Sequence, residues 1–153
     1  MNPTNINDIN AITEAIIGAA IDVHRHLGPG LLESVYEACV VYELAERGLS
    51  FEAQKHLPIV YRGIIMGKCD FCIDLFVEGR VVVELKAVER ILPIHEAQLM
   101  TYLRLSQCST GLLLNFNVLM MKDGIKRRVL ETMYLEAVSG PTRDGSMGIP
   151  TAE

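Results

Sequence analysis

The sequence lacks any apolar run of the roughly 18 residues that a membrane span requires. Its first residues also lack the basic, apolar, small-residue succession of a secretory signal. A cytoplasmic protein with no membrane association is therefore expected. Positive charge is scarce as well: 14 Lys and Arg stand against 19 Asp and Glu, for a formal net charge of −5. Non-specific binding to nucleic acid rests on many Lys and Arg contacts to phosphate. A protein that coats nucleic acid through charge alone is thus excluded, and any nucleic-acid site has to be local. Cysteine is limited to four residues, which without an export signal read as reduced thiols rather than a disulfide framework. Cys69 and Cys72 form a C-x-x-C, but "KCDFCIDLFV" around them reads as a strand, on which residues three apart point to opposite faces. Cys39 and Cys108 lack the paired spacing that would complete a zinc site.

What is present describes one compact folding unit. The 153 residues suffice for a single domain with a real core, and 50% hydrophobic with 22% charged residues excludes a disordered chain. No repeat or low-complexity linker interrupts it. In "INDIN" followed by "AITEAIIGAAIDVHRHL", Ile9, Ile12, Ile16, Ala19, Ala20 and Val23 fall on one helical face, with Asp8 or Asn10 as a cap. "GPG", Gly28 to Gly30, stops that helix. A second helix is expected from about Leu32 to Arg47, ended by Gly48. "FEAQKHLPIVY", "IIMGKCDFCIDLFV" and "VVVELKAV", separated by turns near Arg62 and Gly63 and at "EGR", predict a meander of three strands. "PIHEAQLMTYLRLSQ" predicts a helix with Pro93 in its first turn and Ala97, Met100, Leu103 and Leu105 as its apolar side. "TGLLLNFN" is the continuous apolar run of a strand covered on both faces, and "IKRRVL" a last short strand. The expected class is α/β, with one mixed sheet flanked by helices over residues 1–138, followed by a polar, Gly- and Pro-rich flexible tail over 139–153.

The third strand carries a contradiction. "RVVVELKAV" is rich in valine and reads as buried on at least one face, yet Glu84 and Lys86 stand in its middle, and a buried charge is costly unless paired or metal-bound. The hairpin brings Asp74 near them, and the strand period of two sends Glu84 and Lys86 to the same face. Two converging carboxylates repel unless something positive lies between them. Mg2+ fits that place, being a hard cation held by one or two carboxylates, water and substrate phosphate; Mn2+ is the substitute. Lys86 beside them suits negative charge developing on phosphorus. A metal and an ammonium beside paired acids are what phosphodiester hydrolysis needs.

Asp74, Glu84 and Lys86, spaced D-x9-E-x-K, resemble the core of the PD-(D/E)XK nuclease superfamily. "GLLESVY", Gly30 to Tyr36, resembles the signature of the GxxExxY protein family, a branch of that superfamily, and "QLMTY", Gln98 to Tyr102, resembles the Q-x-x-x-Y of its exonuclease-like members. The resemblance runs from about Ile16 to Leu130 and implies a restriction-endonuclease-like fold. It implies Asp74 and Glu84 as metal ligands, Lys86 as the catalytic lysine, and Glu33 as the helical acid completing the metal site. Gln98 is implied to support the site from the next helix, and Tyr102 to contact substrate or Gln98. Ile73 stands where the superfamily's name has proline.

Each of these residues also has a plainer reading. Glu84 and Lys86 can form an exposed same-face pair worth about 0–1 kcal/mol. Gly30 and Tyr36 are more readily a helix-entry residue and a core aromatic. His24 and His26 suit the end of a helix dipole and are left out of the site. Lys122, Lys126, Arg127 and Arg128 are either a solvated hairpin or a local phosphate-binding surface. The function expected is a divalent-metal-dependent nuclease acting on DNA, with room for a protein partner or a homo-oligomer. The alternatives are a non-catalytic nuclease-like module for nucleic-acid or protein interaction, which would have no need of adjacent carboxylates that repel phosphate, and a metal-handling regulator, which leaves Lys86 unexplained.

Overall fold

The computed structural model describes residues 8–131; the tail expected over 139–153 lies outside them. Helix α1, Ile9–Leu27, opens on Asp8, whose carboxylate accepts the N–H of Asn10 at 2.9 Å. Its expected stripe is in place, with Ile12, Ile16, Ala19, Ala20 and Val23 buried and Ile9 packed at the edge. Helix α2, Glu33–Glu46, buries Tyr36, Val40 and Leu44, one residue per turn along a single face.

Five strands follow the expected order. Strands β1 (Phe51–Tyr61), β2 (Ile64–Val77) and β3 (Val81–Lys86) form the meander. Arg62 and Gly63 turn the first hairpin, both with positive φ, which matches the right-handed twist of the flanking strands. At the second, the Val77 carbonyl accepts the Arg80 N–H at 3.0 Å across left-handed Glu78 and Gly79. Helix α3, Pro93–Ser106, begins on a proline, whose missing N–H costs nothing at that position. It then carries the chain across to β4, Thr110–Asn115, which pairs parallel with β3 and is buried at every residue. Strand β5, Ile125–Val129, closes the antiparallel edge. The sheet order is β1-β2-β3-β4-β5, so each strand lies beside its neighbour in sequence.

The sheet separates two cores. On one face, α1 and α2 cover Leu75, Val77, Val81, Val83, Leu85, Leu112 and Leu114. On the other, α3 sets Leu99 and Leu103 against Phe71, Ile73, Val82 and Leu113. This corrects the apolar side expected for α3: Ala97 and Leu105 are exposed, and the buried pair is Leu99 and Leu103, with Met100 half-buried. Gly111 permits the close seating of α3. A Cβ there would stand 2.8 Å from Leu99 Cδ1, 3.1 Å from Leu103 Cδ2 and 3.2 Å from the Val82 carbonyl oxygen. No helix among the described residues is long and apolar enough to cross a membrane.

Candidate active site

The β2–β3 ladder pairs Val77 with Val81, Phe76 with Val82 and Leu75 with Val83, and then ends. Beyond that point the strands are joined by two carboxylates. The Asp74 N–H donates to Glu84 Oε1 at 3.2 Å, and the Leu85 N–H donates to Asp74 Oδ2 at 2.9 Å. Val83 and Leu85 point into the core beneath α1 and α2 while Val82 faces α3, so strand alternation directs Glu84 to the α3 side. Glu84 is only 4% exposed. Its pKa is raised to about 8, first by burial and next by the charge of Asp74, against which the Asp74 N–H and Lys86 act in the opposite sense. The cost foreseen for acids on a valine-rich strand is thus concentrated on one residue, which meets it by holding its proton.

Lys86 is half-buried two residues further on, close enough for its charge to lower the Glu84 pKa. Among the described residues its ammonium is in no ion pair. The strand end around it is held by other elements. Glu33, first residue of α2, accepts the Ala87 N–H at 3.3 Å. Buried Asn115 of β4 accepts the Val88 N–H at 3.1 Å and donates to the Val88 carbonyl at 2.9 Å. Glu33 therefore reaches the end of the lysine strand from the helix. Its carboxylate does not join Asp74 and Glu84 in a three-ligand group: among the described residues no three His, Cys, Asp or Glu side chains converge to hold a metal.

From α3, Gln98 Nε2 donates to the Tyr102 hydroxyl at 3.0 Å, the two residues standing one turn apart. The Tyr102 ring meets Phe71 at 5.1 Å between centroids. Burial raises the pKa of the phenol, and the charges of Glu84 and then Asp74 add to the effect. Gln98, Tyr102, Glu84 and Lys86 thus share the α3 side of the sheet, while Asp74 lies in the gap between β2 and β3, flanked by Ile73 beneath α3 and Leu75 beneath α1 and α2, with Glu33 at the strand end.

Three further residues belong to this neighbourhood. Gln54 on β1, held at φ 50°, donates from Nε2 to both carboxylate oxygens of Glu37 on α2, at 3.0 and 3.1 Å, and makes a longer 3.5 Å contact to Asp74 Oδ1. Its Oε1 accepts from the Cys72 thiol at 3.3 Å. Burial raises the Cys72 pKa, with Asp74 and Glu84 the next contributors. All four cysteines are free thiols. A glutamine in a left-handed strand position, where glycine or asparagine is favoured, is the one sign of this cluster, and it appears only in the backbone.

The "GPG" and tyrosine of the signature have a structural task. The Tyr36 hydroxyl donates to the Gly28 carbonyl at 2.6 Å and accepts the Leu31 N–H at 3.1 Å, while its ring stacks on Phe116 at 4.5 Å. With Gly30 at φ 99°, the loop is folded back onto the first turn of α2, where Glu33 begins. His24 bonds the Val118 carbonyl at 2.7 Å, and His26 bonds Asp22 one turn earlier in α1. Of the basic cluster, Arg128 is paired with Glu96 of α3 and Arg127 donates to Asn10 at 2.8 Å. That leaves Lys122, Lys126 and Arg127 as its charges without an ion pair among the described residues.

Asp74 and Glu84 form a donor set suited to a hard divalent cation: two adjacent carboxylates lacking a counter-charge between them, with other positions left for water and phosphate oxygens. Comparison with curated proteins and with solved structures gives no match. Residues 10–128, containing every strand and helix of the site, match the family model of the PD-(D/E)XK nuclease superfamily. The chain, with its acid, acid and lysine on the second and third strands of a mixed sheet, belongs to that superfamily.

Proposed function

We propose that the protein is a divalent-metal-dependent nuclease that hydrolyses phosphodiester bonds of DNA, and that it lies in the GxxExxY branch of its superfamily. The observation that carries this reading is the pair of acids bridging parted strands, one of them proton-holding, beside a lysine with no ion-pair partner among the described residues. PD-(D/E)XK nucleases generally use divalent metal ions. Asp74 and Glu84 would hold the ion, with Glu33 a further carboxylate at the end of the same strand. When bound, the ion supplies Lewis-acid stabilisation of phosphate oxygens and makes a water molecule more acidic.

The chain's own groups account for the remainder. Glu84 would hold the ion in its ionised form, its proton passing to solvent, because only the ionised carboxylate is a good ligand. Lys86 presents an unneutralised ammonium to charge that grows on the phosphoryl oxygens, in a half-buried setting where such a charge acts more strongly than in water. Gln98 and Tyr102 orient substrate or the acid pair from α3.

One observation favours the alternative of a non-catalytic module: the acids near Lys86 do not form a three-ligand group. Cleavage assays decide between the two. Purified protein is incubated with labelled single- and double-stranded DNA and RNA in Mg2+, Mn2+ or EDTA. Metal-dependent cleavage of at least one DNA substrate is expected, reduced by about 10²–10³ or more in Lys86→Ala. Cleavage that persists unchanged in Lys86→Ala would rule out this mechanism, and no cleavage of any substrate would favour the module.

A further inference from the structure

Strands β1 and β2 continue past the acid pair as a long hairpin whose far half is exposed. From Val60 to Asp70 every residue is exposed, among them Tyr61 at 58% and Ile65 at 63%. Val60 pairs with Ile65 and Tyr61 with Ile64 at the tip, so both faces of the arm end in apolar or aromatic side chains. The charge of the arm differs from that of the whole. No acidic residue lies between Glu52 and Asp70, in a chain that carries 19 acidic against 14 basic residues. Within that interval Lys55 is paired with Glu52 and His56 with Asp70, at the base. Arg62 and Lys68, toward the tip, are in no ion pair among the described residues, and the Arg62 guanidinium lies over the Tyr61 ring at 5.6 Å.

From these features we infer that the β1–β2 arm is a nucleic-acid-binding element, engaging phosphates through Arg62 and Lys68 and bases through Tyr61. The inference rests on the nuclease reading and adds to it a place for substrate away from the acid pair. Fixed cations that follow the backbone, beside an aromatic face on which bases stack, are the pairing that single-strand and duplex ends are bound by. The arm also answers how an acidic protein holds a polyanion, since its positive charge is local and set apart from the carboxylates. Because β2 carries Asp74 as well as the arm, the reach is set by the hairpin: beside it β1 runs from Tyr61 to Gln54, on the order of 23 Å at about 3.3 Å per residue, and β2 takes up its extra residues in the register shift between Ile65 and Asp70. At about 3.4 Å per base step this corresponds to about seven nucleotides. Substrate shorter than that on the arm's side of the scissile bond cannot touch both.

The test compares wild type with Arg62→Asn/Lys68→Gln, which removes both charges and keeps a turn-compatible residue at the left-handed position, and separately with Tyr61→Ala. All three positions are exposed, so melting temperatures should be nearly unchanged and serve as the folding control. Binding of fluorescein-labelled DNA of about 30 and about 6 nucleotides, single-stranded and duplex, is measured in EDTA over a range of salt. The double variant should bind the long DNA at least about ten-fold more weakly. Its slope of log affinity against log salt should be shallower by about 1.4–1.8, from two phosphate contacts. Affinity for the short DNA should respond less, and Tyr61→Ala should weaken binding of the long DNA with little change in slope. If wild type cleaves DNA in Mn2+ yet affinity and slope are the same in the double variant, the arm proposal fails and the nuclease reading stands. If wild type neither binds nor cleaves, both fail. A dimer in wild type that becomes a monomer in the variants would show the arm to be an interface between copies, and overturn the proposal.

Discussion

Asp74 donates its backbone N–H to Glu84 and accepts the N–H of Leu85 with its own carboxylate, so the two acids occupy the gap where a strand ladder would have continued. The backbone thereby holds two carboxylates together. Glu84, with its pKa raised from 4.5 to about 8, is the one that stays protonated. Between those values the native state binds more proton than the unfolded chain. Its contribution to stability is complete below the unfolded value and is lost as pH rises through the folded one. In EDTA the melting temperature should fall between pH 5 and pH 8.5, by the equivalent of a few kcal/mol at most. Glu84→Gln, which keeps the shape and cannot ionise, should show a distinctly smaller fall. Equal pH dependence in both proteins would mean that Glu84 does not carry the proton.

A cation that binds the folded state should offset the same repulsion. Mn2+ at a hundred times its dissociation constant should stabilise wild type by about 2.7 kcal/mol, and the shift should increase as pH approaches 8 because binding displaces the Glu84 proton. Asp74→Asn is the informative variant, since an amide oxygen can still accept the Leu85 N–H whereas alanine would leave that donor unmet. Thermal unfolding should show Asp74→Asn as stable as wild type, or more so, in EDTA and nearly insensitive to Mn2+. Identical Mn2+ shifts would remove Asp74 from the ligands.

Gln54 connects Glu37 on α2 to Asp74 and Cys72 on β2, at a φ of 50° that a side chain rarely adopts. Gln54→Gly relieves the backbone and Gln54→Ala does not, while both remove the amide. Gln54→Gly should therefore melt above Gln54→Ala by about 0.5–1 kcal/mol, and both should bind Mn2+ more weakly than wild type. Should Gln54→Gly bind Mn2+ as wild type does, the amide has no part in placing Asp74.

Tyr36→Phe tests the signature loop. The ring still stacks on Phe116, but the Gly28 carbonyl and Leu31 N–H lose their shared partner, which should cost about 1–3 kcal/mol in chemical denaturation. Cleavage should fall too, because the loop leads directly into Glu33. Full stability in Tyr36→Phe would show that water replaces the hydroxyl at no cost.

The sequence displayed those parts of the fold whose signals are local. The apolar run Leu112–Leu114 of β4, the turn at Arg62 and Gly63 and the proline at the start of α3 each act within a few positions. The face of α3 was less legible: Ala97 and Leu105 fit a helical stripe as well as Leu99 does, and only the seating over Gly111 selects among them. Gln54 could not be found at all. If the Tyr61–Ile64 register ran unbroken, Asp74 would stand opposite Phe51. A shift between Pro58 and Val60 instead makes Ala53 and Lys55 the partners of Leu75 and Ile73, with Gln54 and Asp74 between them. Such a slip depends on the tertiary surroundings of the arm, and no residue pattern announces it.

The amides of Leu85, Ala87 and Val88 are bonded to the side chains of Asp74, Glu33 and Asn115. A ladder bond opens when two backbones separate, which in a five-stranded sheet is a cooperative event. These bonds open when one side chain changes rotamer. Lys86 itself stays in the ladder to β4, its carbonyl accepting the Phe116 N–H at 2.9 Å, while the amides on either side of it are fastened by three independent latches, from β2, α2 and β4. Each amide should exchange with solvent at its own rate, by local opening well below the global unfolding free energy, and each should respond to replacement of its own latch alone. The amides flanking Lys86 can then open one hydrogen bond at a time, while the sheet beneath them stays closed.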